Sequence, residues 1–397
     1  MIQKLIKSMR INKSQQREGR MVTLEKNRGP SLIKNFDWFL LVLVLALNIL
    51  GLIVVRSVSN HLNQPVLFKK QLIASVIGLA CMLIMLFIDY KDLRVLSIPA
   101  YIGTVFLLVY TLVAGIGREE VGTKGWIDLG FFSFQPSELG KVTLSIVAAV
   151  FLERIKQGNG PINYLWLAGT TASLVGLVLM QPDFGTAVVY IFIFACMVFV
   201  WGIRYRTILI ILVAGLVSLP VLLFGFMDKI FESFQITRIL SFLNPEAYAR
   251  DGAYQVLMSI RYIGSGRIFG VEPGTEKAAR HVPEAATDSI FAVIGEEWGF
   301  IGTVTVVLLF TLFLLRCLYI SRYARDKFGS YIVIGLMAMF LFHFVENVGM
   351  NIGMLPVTGI PLPFISYGGS SVLVSYIAVG IILGISMRRQ RPMFEVQ

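Results

Sequence analysis

The stretch Phe39–Val55, FLLVLVLALNILGLIVV, decides the fold of this chain. Only Asn48 in it has a polar side chain, and no residue in it is charged. An α-helix needs roughly 20 consecutive apolar residues to cross a bilayer, and this run approaches that length. The pattern returns in Ile73–Ile88 and in Ile208–Phe226. The chain is therefore predicted to be an all-α polytopic integral membrane protein.

The overall composition supports the same class of protein. Of the 397 residues, 56% are hydrophobic and only 15% are charged, whereas about 25% of the residues in a typical soluble domain are charged. The apolar runs do not alternate with polar residues, as the roughly ten-residue strands of an outer-membrane barrel would. A soluble fold and a membrane barrel are both excluded.

Hydropathy predicts ten spans within a single membrane domain over residues 36–389. The spans are predicted at 36–55, 70–88, 95–114, 137–152, 163–181, 186–202, 207–226, 288–318, 330–350 and 366–387. An even number of spans puts both termini on one side. Basic residues favour the cytoplasmic side, so both termini are predicted there. Arg56, Lys69 and Lys70, in the first predicted outer loop, run against this rule.

The net charge of +11 is concentrated at the N-terminus, where nine of the 35 Lys and Arg residues precede residue 35. Residues 1–35 are predicted to form a disordered, basic cytoplasmic tail, and 390–397 a second cytoplasmic tail. A basic segment next to a membrane attracts anionic lipid. Anionic lipid is therefore the predicted partner of the N-terminal tail, and no nucleic acid is expected.

Two outer segments, 115–136 and 227–287, are too long for simple connections. Loops of such length are usually functional or disordered. The second lies between predicted spans 7 and 8 and contains two amphipathic stretches, Ile236–Leu243 and Tyr254–Ile263. Short helices on the membrane surface would explain these stretches. An ordered extracytoplasmic cap is therefore predicted over 227–287.

Charged residues inside spans cost at least about 2.5–3.5 kcal/mol each, so each is a candidate functional residue. Glu138 and Lys141 are three positions apart and share one helical face, where they can neutralise each other. The pair either fixes helix packing or lies beneath a charged substrate headgroup. His343 and Glu346 have the same spacing, and a satisfied interhelical hydrogen bond explains them equally well.

Two adjacent carboxylates, Glu296 and Glu297, lie in the predicted eighth span, and one is expected to meet a polar cavity because one helix face cannot accommodate both. Cys81, Cys196 and Cys317 lie in or beside apolar runs without CxxC spacing. They predict neither a disulfide framework nor a metal site.

Asp288 begins the eighth span directly after the cap. A partly desolvated carboxylate has a raised pKa, which makes it a better general base near neutral pH. A helix N-cap uses the same residue type at the same position, and position alone favours that interpretation. The turn Ser366–Ser371, SYGGSS, precedes an apolar run, and a helix N-terminus there could bind an anion.

Five motifs carry a resemblance to a known family. They are GWIDLGFFSFQPSELGK (125–141), QPDFGTA (181–187), RILSFLNP (238–245), PEAATDSIFAVIGEEWGFIG (283–302) and NIGMLPVTGIPLPFISYGGSS (351–371). In sequence and order they resemble the SEDS (shape, elongation, division, sporulation) family, from about Asp37 to Arg389. WIDLG followed by FQPSE is more similar to the RodA elongation branch than to the FtsW division branch.

The resemblance implies ten transmembrane helices in the bacterial cytoplasmic membrane and a peptidoglycan glycosyltransferase. Such an enzyme polymerises lipid II into glycan strands at the outer face, inverts the donor anomeric carbon and releases undecaprenyl pyrophosphate. The aspartate of the PE-x-x-TD motif falls on Asp288, which implies a general base and reverses the preference for an N-cap. A divalent cation such as Mg²⁺ or Mn²⁺ could assist, although the sequence shows no ligand set. A class B penicillin-binding protein, which is a transpeptidase, is the implied partner.

Cations and backbone donors can stabilise the charge that develops on a leaving pyrophosphate. The candidate substrate-binding residues are Glu138, Lys141, Arg238, Arg261, Glu297, Ser366, Gly368, Gly369 and Ser370.

Two other functions fit parts of the same pattern. A flippase for lipid II or another lipid-linked sugar would use Glu138, Lys141 and Glu297 as a polar pathway, and a scaffold would use the outer loops for docking. Neither needs a base at Asp288. The chain departs from the family pattern at Ala286, Ser289, Glu272 and Pro273, which leaves a division, sporulation or otherwise specialised paralogue open.

Overall fold

A computed structural model describes residues 35–117, 125–128, 130, 133–158, 160–203, 206, 238, 240–249, 252–271 and 278–389. Several predicted features lie outside these residues: the basic N-terminal tail, the seventh span at 207–226, the family departures at Glu272 and Pro273, and the C-terminal tail at 390–397. Of the predicted cap, the structure describes residues 238, 240–249, 252–271 and 278–287.

Long α-helices dominate the described residues. In chain order, the helices are α1 (Trp38–His61), α2 (Pro65–Phe87), α3 (Leu93–Ala114), α4 (Pro136–Lys156), α5 (Ile162–Met180), α6 (Phe184–Trp201), α7 (Tyr254–Ser265), α8 (Ala278–His281), α9 (Ile290–Arg322), α10 (Lys327–Asn351) and α11 (Gly369–Met387). Nine of these helices overlap nine of the predicted spans. Eight are long and apolar enough to cross a membrane, and α4 is the ninth. The all-α membrane fold is confirmed.

The helix ends extend beyond the apolar runs. α1 continues to His61 and α2 begins at Pro65, so Arg56, Lys69 and Lys70 lie within helices rather than in an outer loop. The prediction that these three residues occupy a loop was wrong. A helix of 24 residues is about 36 Å long and exceeds a hydrocarbon core of about 30 Å, so residues near its ends can lie outside that core.

The centre of the molecule is formed by α4, α10 and α11. α4 packs against α3, α5, α6 and α10, while α11 packs chiefly along α2. In the most apolar 18-residue stretch of α11, 89% of the residues are buried inside the protein. The corresponding stretch of α2 is only 22% buried. Close approach needs glycine here: Gly78 lies against the ring of Tyr376, and Gly380 lies against Met82. α11 is thus a core helix, and α2 faces lipid on its other side.

α9 contains a break that the sequence did not predict. Gly299 has φ 63° and ψ −156°, which separates residues 290–298 from the long apolar part that follows. The segment 266–271 occupies the break: Phe300 N donates to Arg267 O at 2.8 Å, and Val271 N donates to Glu296 O at 3.0 Å. The backbone groups released by the break are therefore satisfied by the cap, as burial requires.

A short β-hairpin precedes α4. β1 (Ile127–Asp128) pairs antiparallel with β2 (Ser133–Phe134). The bridge between Ile116 and Trp126 extends the pairing towards α3. The hairpin was not predicted, since strands of two residues have no recognisable periodicity. It delivers Gln135 to the start of α4 beside the N-terminus of α11, because Gln135 N donates to Ser370 Oγ at 2.9 Å.

Candidate functional site

Asp288 lies between the cap and α9, and only 6% of its surface is exposed. Two amides of α10 hold its backbone: Asn347 Nδ2 and Asn351 Nδ2 donate to Asp288 O at 2.8 and 2.9 Å. Asn347 also donates to Ile360 O at 2.9 Å. The two asparagines are four residues apart and therefore share one face of α10. They fix the residue at the point where cap, α10 and the loop 352–368 meet.

Donors from two segments bind the carboxylate of Asp288. Gln255 Nε2, on α7, donates to Oδ2 at 3.2 Å, and Thr287 Oγ1 lies 3.2 Å from Oδ1. The N-cap of α9 is Ser289, whose side chain makes no capping hydrogen bond. Asp288 is therefore not the N-cap that its position suggested, and its carboxylate faces the cap rather than the helix amides.

Burial raises the pKa of Asp288 to about 6. The hydrogen bonds from Gln255 and Thr287 lower the pKa because they favour the charged form, whereas the nearby Glu284 carboxylate raises it. A carboxylate of this pKa is ionised at neutral pH and is still a stronger proton acceptor than an ordinary aspartate. It has the properties of a general base.

The loop 352–368 forms one wall of the site. Gly359 has φ +79°, and a Cβ atom there would lie 3.7 Å from Asp288 Oδ2, so a glycine keeps the loop close to the carboxylate without strain. Tyr367 N donates to Ala286 O at 2.7 Å. Ser366 Oγ accepts from Leu362 N at 2.8 Å and donates to Thr287 O. Ser366 therefore ties the loop to the residue before Asp288.

The predicted anion-binding turn is largely engaged by protein groups. Gly368 N donates to Gln71 Oε1 at 3.1 Å, and Gly369 begins α11. Ser370 Oγ accepts from Gln135 N and donates to Ser133 O, both at 2.9 Å. The side chains of Gln71 and Ser370 and the amide of Gly368 therefore join α2, α11 and the hairpin. What the turn still offers a ligand is the N-terminus of α11.

Arg238 lies near two carboxylates. Burial lowers the pKa of its guanidinium, and the charges of Asp288 and Asp183 oppose that shift. Asp183 is the N-cap of α6 and accepts from Thr186 N at 3.0 Å. Its second oxygen accepts from Gln135 Nε2 at 3.3 Å. Arg238 is thus a cation that the cap brings to the same region as the candidate base.

Lys141 is at the centre of a buried polar cluster. Its Nζ donates to Glu138 Oε1 at 2.6 Å and lies 2.9 Å from His343 Nε2, and the lysine is 1% exposed. An ammonium group can only donate, so His343 Nε2 accepts and the ring proton is on Nδ1, which faces Pro361 O at 3.3 Å. The cluster therefore joins α4, α10 and the loop 352–368 as a buried ion pair.

Two predicted residues lie away from Asp288. Arg261 is exposed on α7 and makes no hydrogen bond or ion pair with other residues in the described ranges. Glu297 accepts a hydrogen bond from Ser57 and lines a groove of about 380 Å³ between α1 and α9. The groove is otherwise lined by Leu50, Phe269, Trp298, Ile301, Gly302 and Thr305. Neither residue is brought into contact with the candidate base.

Three neighbours of Asp288 were missed by sequence reasoning: Gln255, Asn347 and Asn351. They lie 33, 59 and 63 residues away along the chain, so no local spacing could link them to it. The repeated asparagine at a four-residue interval inside an apolar span was the one available signal. Within the part of the chain that the structure describes, no group of three or more His, Cys, Asp or Glu side chains could hold a metal ion.

Comparison with known proteins gives a consistent result. Residues 37–391 match the FtsW/RodA/SpoVE model, described as cell cycle protein. The chain is 34% identical to the probable peptidoglycan glycosyltransferase FtsW of Trichlorobacter lovleyi, over 91% of this chain and 96% of the relative. It is 34% identical to stage V sporulation protein E of Bacillus subtilis (88% and 96% covered). It is 30% identical to the peptidoglycan glycosyltransferase RodA of Treponema pallidum (90% and 99% covered).

Two solved structures are similar along most of their length. One belongs to a peptidoglycan synthase complex described for its structural coordination of polymerization and crosslinking, with a TM-score of 0.75, 30% identity and coverage of 88% of this chain and 97% of that chain. The other is the rod shape determining protein RodA of Thermus thermophilus, with a TM-score of 0.66, 30% identity and coverage of 90% and 98%.

Proposed function

The chain belongs to the FtsW/RodA/SpoVE family of cell cycle proteins, the SEDS family, and from this membership we infer that it is a peptidoglycan glycosyltransferase. It is a multi-pass membrane protein, with eight described helices that are long and apolar enough to span a bilayer. The observation that carries the catalytic proposal is the buried Asp288 carboxylate, whose pKa of about 6 suits a general base.

We propose that the substrate is lipid II, the undecaprenyl-pyrophosphate-linked disaccharide pentapeptide. Asp288 accepts the proton of the acceptor GlcNAc 4-hydroxyl while that oxygen attacks the donor anomeric carbon. The bond from this carbon to the pyrophosphate breaks, the configuration inverts, and undecaprenyl pyrophosphate leaves with the electron pair. A base must come within about 3 Å of the hydroxyl it deprotonates. The meeting of cap, α10 and loop at Asp288 supports this role.

The leaving pyrophosphate gains negative charge and needs cationic stabilisation. Arg238 is the best-supported contact, because the charge of Asp288 acts on its guanidinium. We propose that the N-terminus of α11 at Gly369 adds backbone donors. Lys141 and Glu138 are proposed to act through the polar cluster beneath the loop. Contacts to Arg261 and Glu297 would come from more distant parts of the lipid-linked substrate.

A divalent cation such as Mg²⁺ or Mn²⁺ is proposed to enter with the substrate's pyrophosphate, since the described residues do not form a ligand set of their own. The proposed proton transfer and displacement do not use the ion.

We further propose that the protein lies in the cytoplasmic membrane with both termini in the cytoplasm, where the basic N-terminal tail meets anionic lipid. A class B penicillin-binding protein is the proposed partner; the similar synthase complex, described by polymerization and crosslinking, supports this pairing.

The cellular role has two candidates. The WIDLG and FQPSE motifs favour elongation of a rod-shaped cell. The relatives named FtsW and SpoVE, each 34% identical, favour division or sporulation over the RodA relative at 30%. Expression in strains depleted of each protein distinguishes the roles. Restored rod shape would support elongation, whereas restored septation or spore cortex would support the second candidate.

The activity is tested with the purified full-length protein, labelled lipid II and a cognate penicillin-binding protein that lacks its own glycosyltransferase domain. Wild type is expected to make long glycan strands, and Asp288→Asn none. Asp92→Asn, which changes an exposed aspartate of an inner loop, is the matched control and should polymerise like wild type. Size-exclusion profiles show that each variant is folded.

The other outcomes are equally informative. If Asp288→Asn polymerises like wild type, the proposed base is wrong, and a scaffold function that dispenses with Asp288 gains support. If wild type makes no strands even with the partner, translocation of labelled lipid II across vesicles is measured next, and transport would identify a flippase.

A further inference from the structure

We infer that Gln255 is a positioning residue for Asp288: its side-chain amide, carried by the cap helix α7, holds one carboxylate oxygen so that the other faces the acceptor hydroxyl. This inference rests on the proposed glycosyltransferase function. It concerns a residue that touches Asp288 rather than the reacting atoms of the substrate.

The geometry gives Gln255 two acceptors for its two amide hydrogens. Nε2 donates to Asp288 Oδ2 at 3.2 Å and to Ser289 Oγ at 2.8 Å. The second bond fixes the rotation of the amide, so that the first is directed at the carboxylate. Ser289 is itself held, because its backbone N donates to Glu284 O at 3.0 Å. The arrangement restrains Asp288 through a residue that is 33 positions away in sequence.

The two oxygens of Asp288 differ in their surroundings. Oδ2 faces Gln255 and the Gly359 backbone, where an added Cβ would be 3.7 Å away. Oδ1 lies 3.2 Å from the hydroxyl of Thr287, which also lies 2.8 Å from Glu284 Oε2. A hydroxyl has one proton, so Thr287 cannot donate to both carboxylates at once. Among the described side chains, Oδ1 is thus the less engaged oxygen, and we assign to it the acceptance of the substrate's proton.

Among the described residues, two charged side chains are seen to act on Asp288. Glu284, from the segment before α9, raises the pKa of Asp288, and Arg238 of the cap is the facing cation. α10 contributes the neutral amides of Asn347 and Asn351. No charged side chain lies in the described loop 352–368. Gln255 favours the ionised form by hydrogen bonding, so its loss raises the proton affinity of the base.

The test compares initial rates of lipid II polymerisation between pH 5.5 and 8.5 for wild type, Gln255→Met and Tyr254→Phe, with the partner present. Methionine keeps the length of the side chain and removes the donor, and Tyr254 is an exposed neighbour on the same helix. The midpoint of the acid limb is expected to rise by about one pH unit in Gln255→Met, as loss of a hydrogen bond to a charged group allows. The loss relative to wild type is then about fivefold larger at pH 6 than at pH 8.

Glu284→Gln is expected to shift the profile the other way. Removal of the Glu284 charge lowers the pKa of Asp288, so the midpoint of the acid limb moves to lower pH. A purely structural defect lowers the rate equally at every pH. If Gln255→Met shows such a uniform loss, or a wild-type profile, the inference is overturned. If Gln255→Met is not monodisperse, Gln255→Asn is used instead, because it withdraws the amide by one methylene. The acid limb of Gln255→Asn is expected to rise in the same way, and a uniform loss or a wild-type profile would again overturn the inference. Absence of strands from wild type would instead count against the proposed function.

Discussion

Asp288 sets the pH range of the proposed reaction, since only its ionised form can accept a proton. Its pKa of about 6 follows from burial, opposed by the donors of Gln255 and Thr287. Ser289 supplies the second acceptor for Gln255. The proposed control of the base therefore depends in part on this serine.

The first prediction concerns pH. Because the folded pKa of Asp288 is raised to about 6, polymerisation is expected to be full above about pH 7 and to fall about tenfold per pH unit well below pH 6. An ordinary aspartate, with a pKa near 3.9, would keep its activity to much lower pH. Initial rates at saturating lipid II measure the profile. An acid limb centred near pH 4 would contradict the assignment of this residue as base.

The second prediction concerns the buried ion pair. Lys141→Met leaves Glu138 buried without its cation, and Glu138→Gln leaves the ammonium with only His343. Each single change is expected to cost about 3–5 kcal/mol of stability, whereas the double change removes both charges and recovers most of it. Thermal unfolding in detergent, followed by size-exclusion fluorescence, measures the series. Additive losses in the double variant would show that the pair is not coupled.

Residues of the candidate site could be predicted only where a motif or a helical spacing pointed to them. The family pattern selected Asp288 as the candidate base, whereas position alone gave the wrong answer of an N-cap. The pair Glu138–Lys141 followed from helical spacing, and the structure adds His343 as a third member. Gln255 could not be found, because its contact with Asp288 depends on how the cap folds back over α9.

At the scale of elements, α9 and the cap form one unit. The break at Gly299 opens α9, and the segment 266–271 fills it with backbone hydrogen bonds. The short N-terminal part of α9 follows directly from Asp288, while the C-terminal part is long enough to span the membrane. The cap is therefore joined to the helix that carries the candidate base by main-chain contacts, in addition to those of Gln255.

The third prediction tests the main-chain contact between the cap segment 266–271 and α9. Gly299→Ala places a side chain at φ 63° and ψ −156°, a conformation essentially limited to glycine, and against the backbone of 266–270. The substitution is expected to destabilise this part of the fold by about 1–3 kcal/mol. Faster hydrogen exchange of the backbone amides in 254–271 would measure the effect. Gly176→Ala on α5, where no atom lies within 4 Å of an added Cβ, is the matched control and should leave exchange unchanged. Equal exchange in both variants would contradict the claim that the break at Gly299 holds the cap segment in place.

Hydropathy predicted nine of the described long helices, because lipid demands long apolar runs whatever their tertiary contacts. It could not predict the break, since EEWGFIG (296–302) has no proline and isolated glycines are tolerated in a helix. The conformation at Gly299 is set by the inserted cap segment, which is distant in sequence. The end of α1 at His61 and the start of α2 at Pro65 lie beyond the apolar runs, where hydropathy carries no signal.

At the scale of the whole molecule, the helices form a shell of lipid-facing elements around α4, α10 and α11. α2 and α3 are each 22% buried in their most apolar windows, while α10 is 67% and α11 is 89% buried. The site lies at one end of this core, where the cap closes over α10. The polar cluster around Lys141 is inside the shell and needs no access to lipid.

The fourth prediction concerns orientation. In a background without Cys81, Cys196 and Cys317, a cysteine at exposed Asp128 is expected to react with an impermeant maleimide from outside the cell. A cysteine at exposed Gln157 is expected to react only after the membrane is permeabilised. The basis is the positive-inside rule, since Arg154 and Lys156 end α4 on that side. The reverse pattern of labelling would contradict the proposed topology.

The burial of α11 has a consequence for biogenesis. Of the described helices, α11 is the last in the sequence, and it packs along α2, with Gly78 and Gly380 in the seam between them. During translation, α2 must wait with that seam unfilled until residues 369–387 leave the ribosome. The described part of the bundle is completed only by α11. A nascent chain that ends before residue 369 would thus leave an open groove along α2.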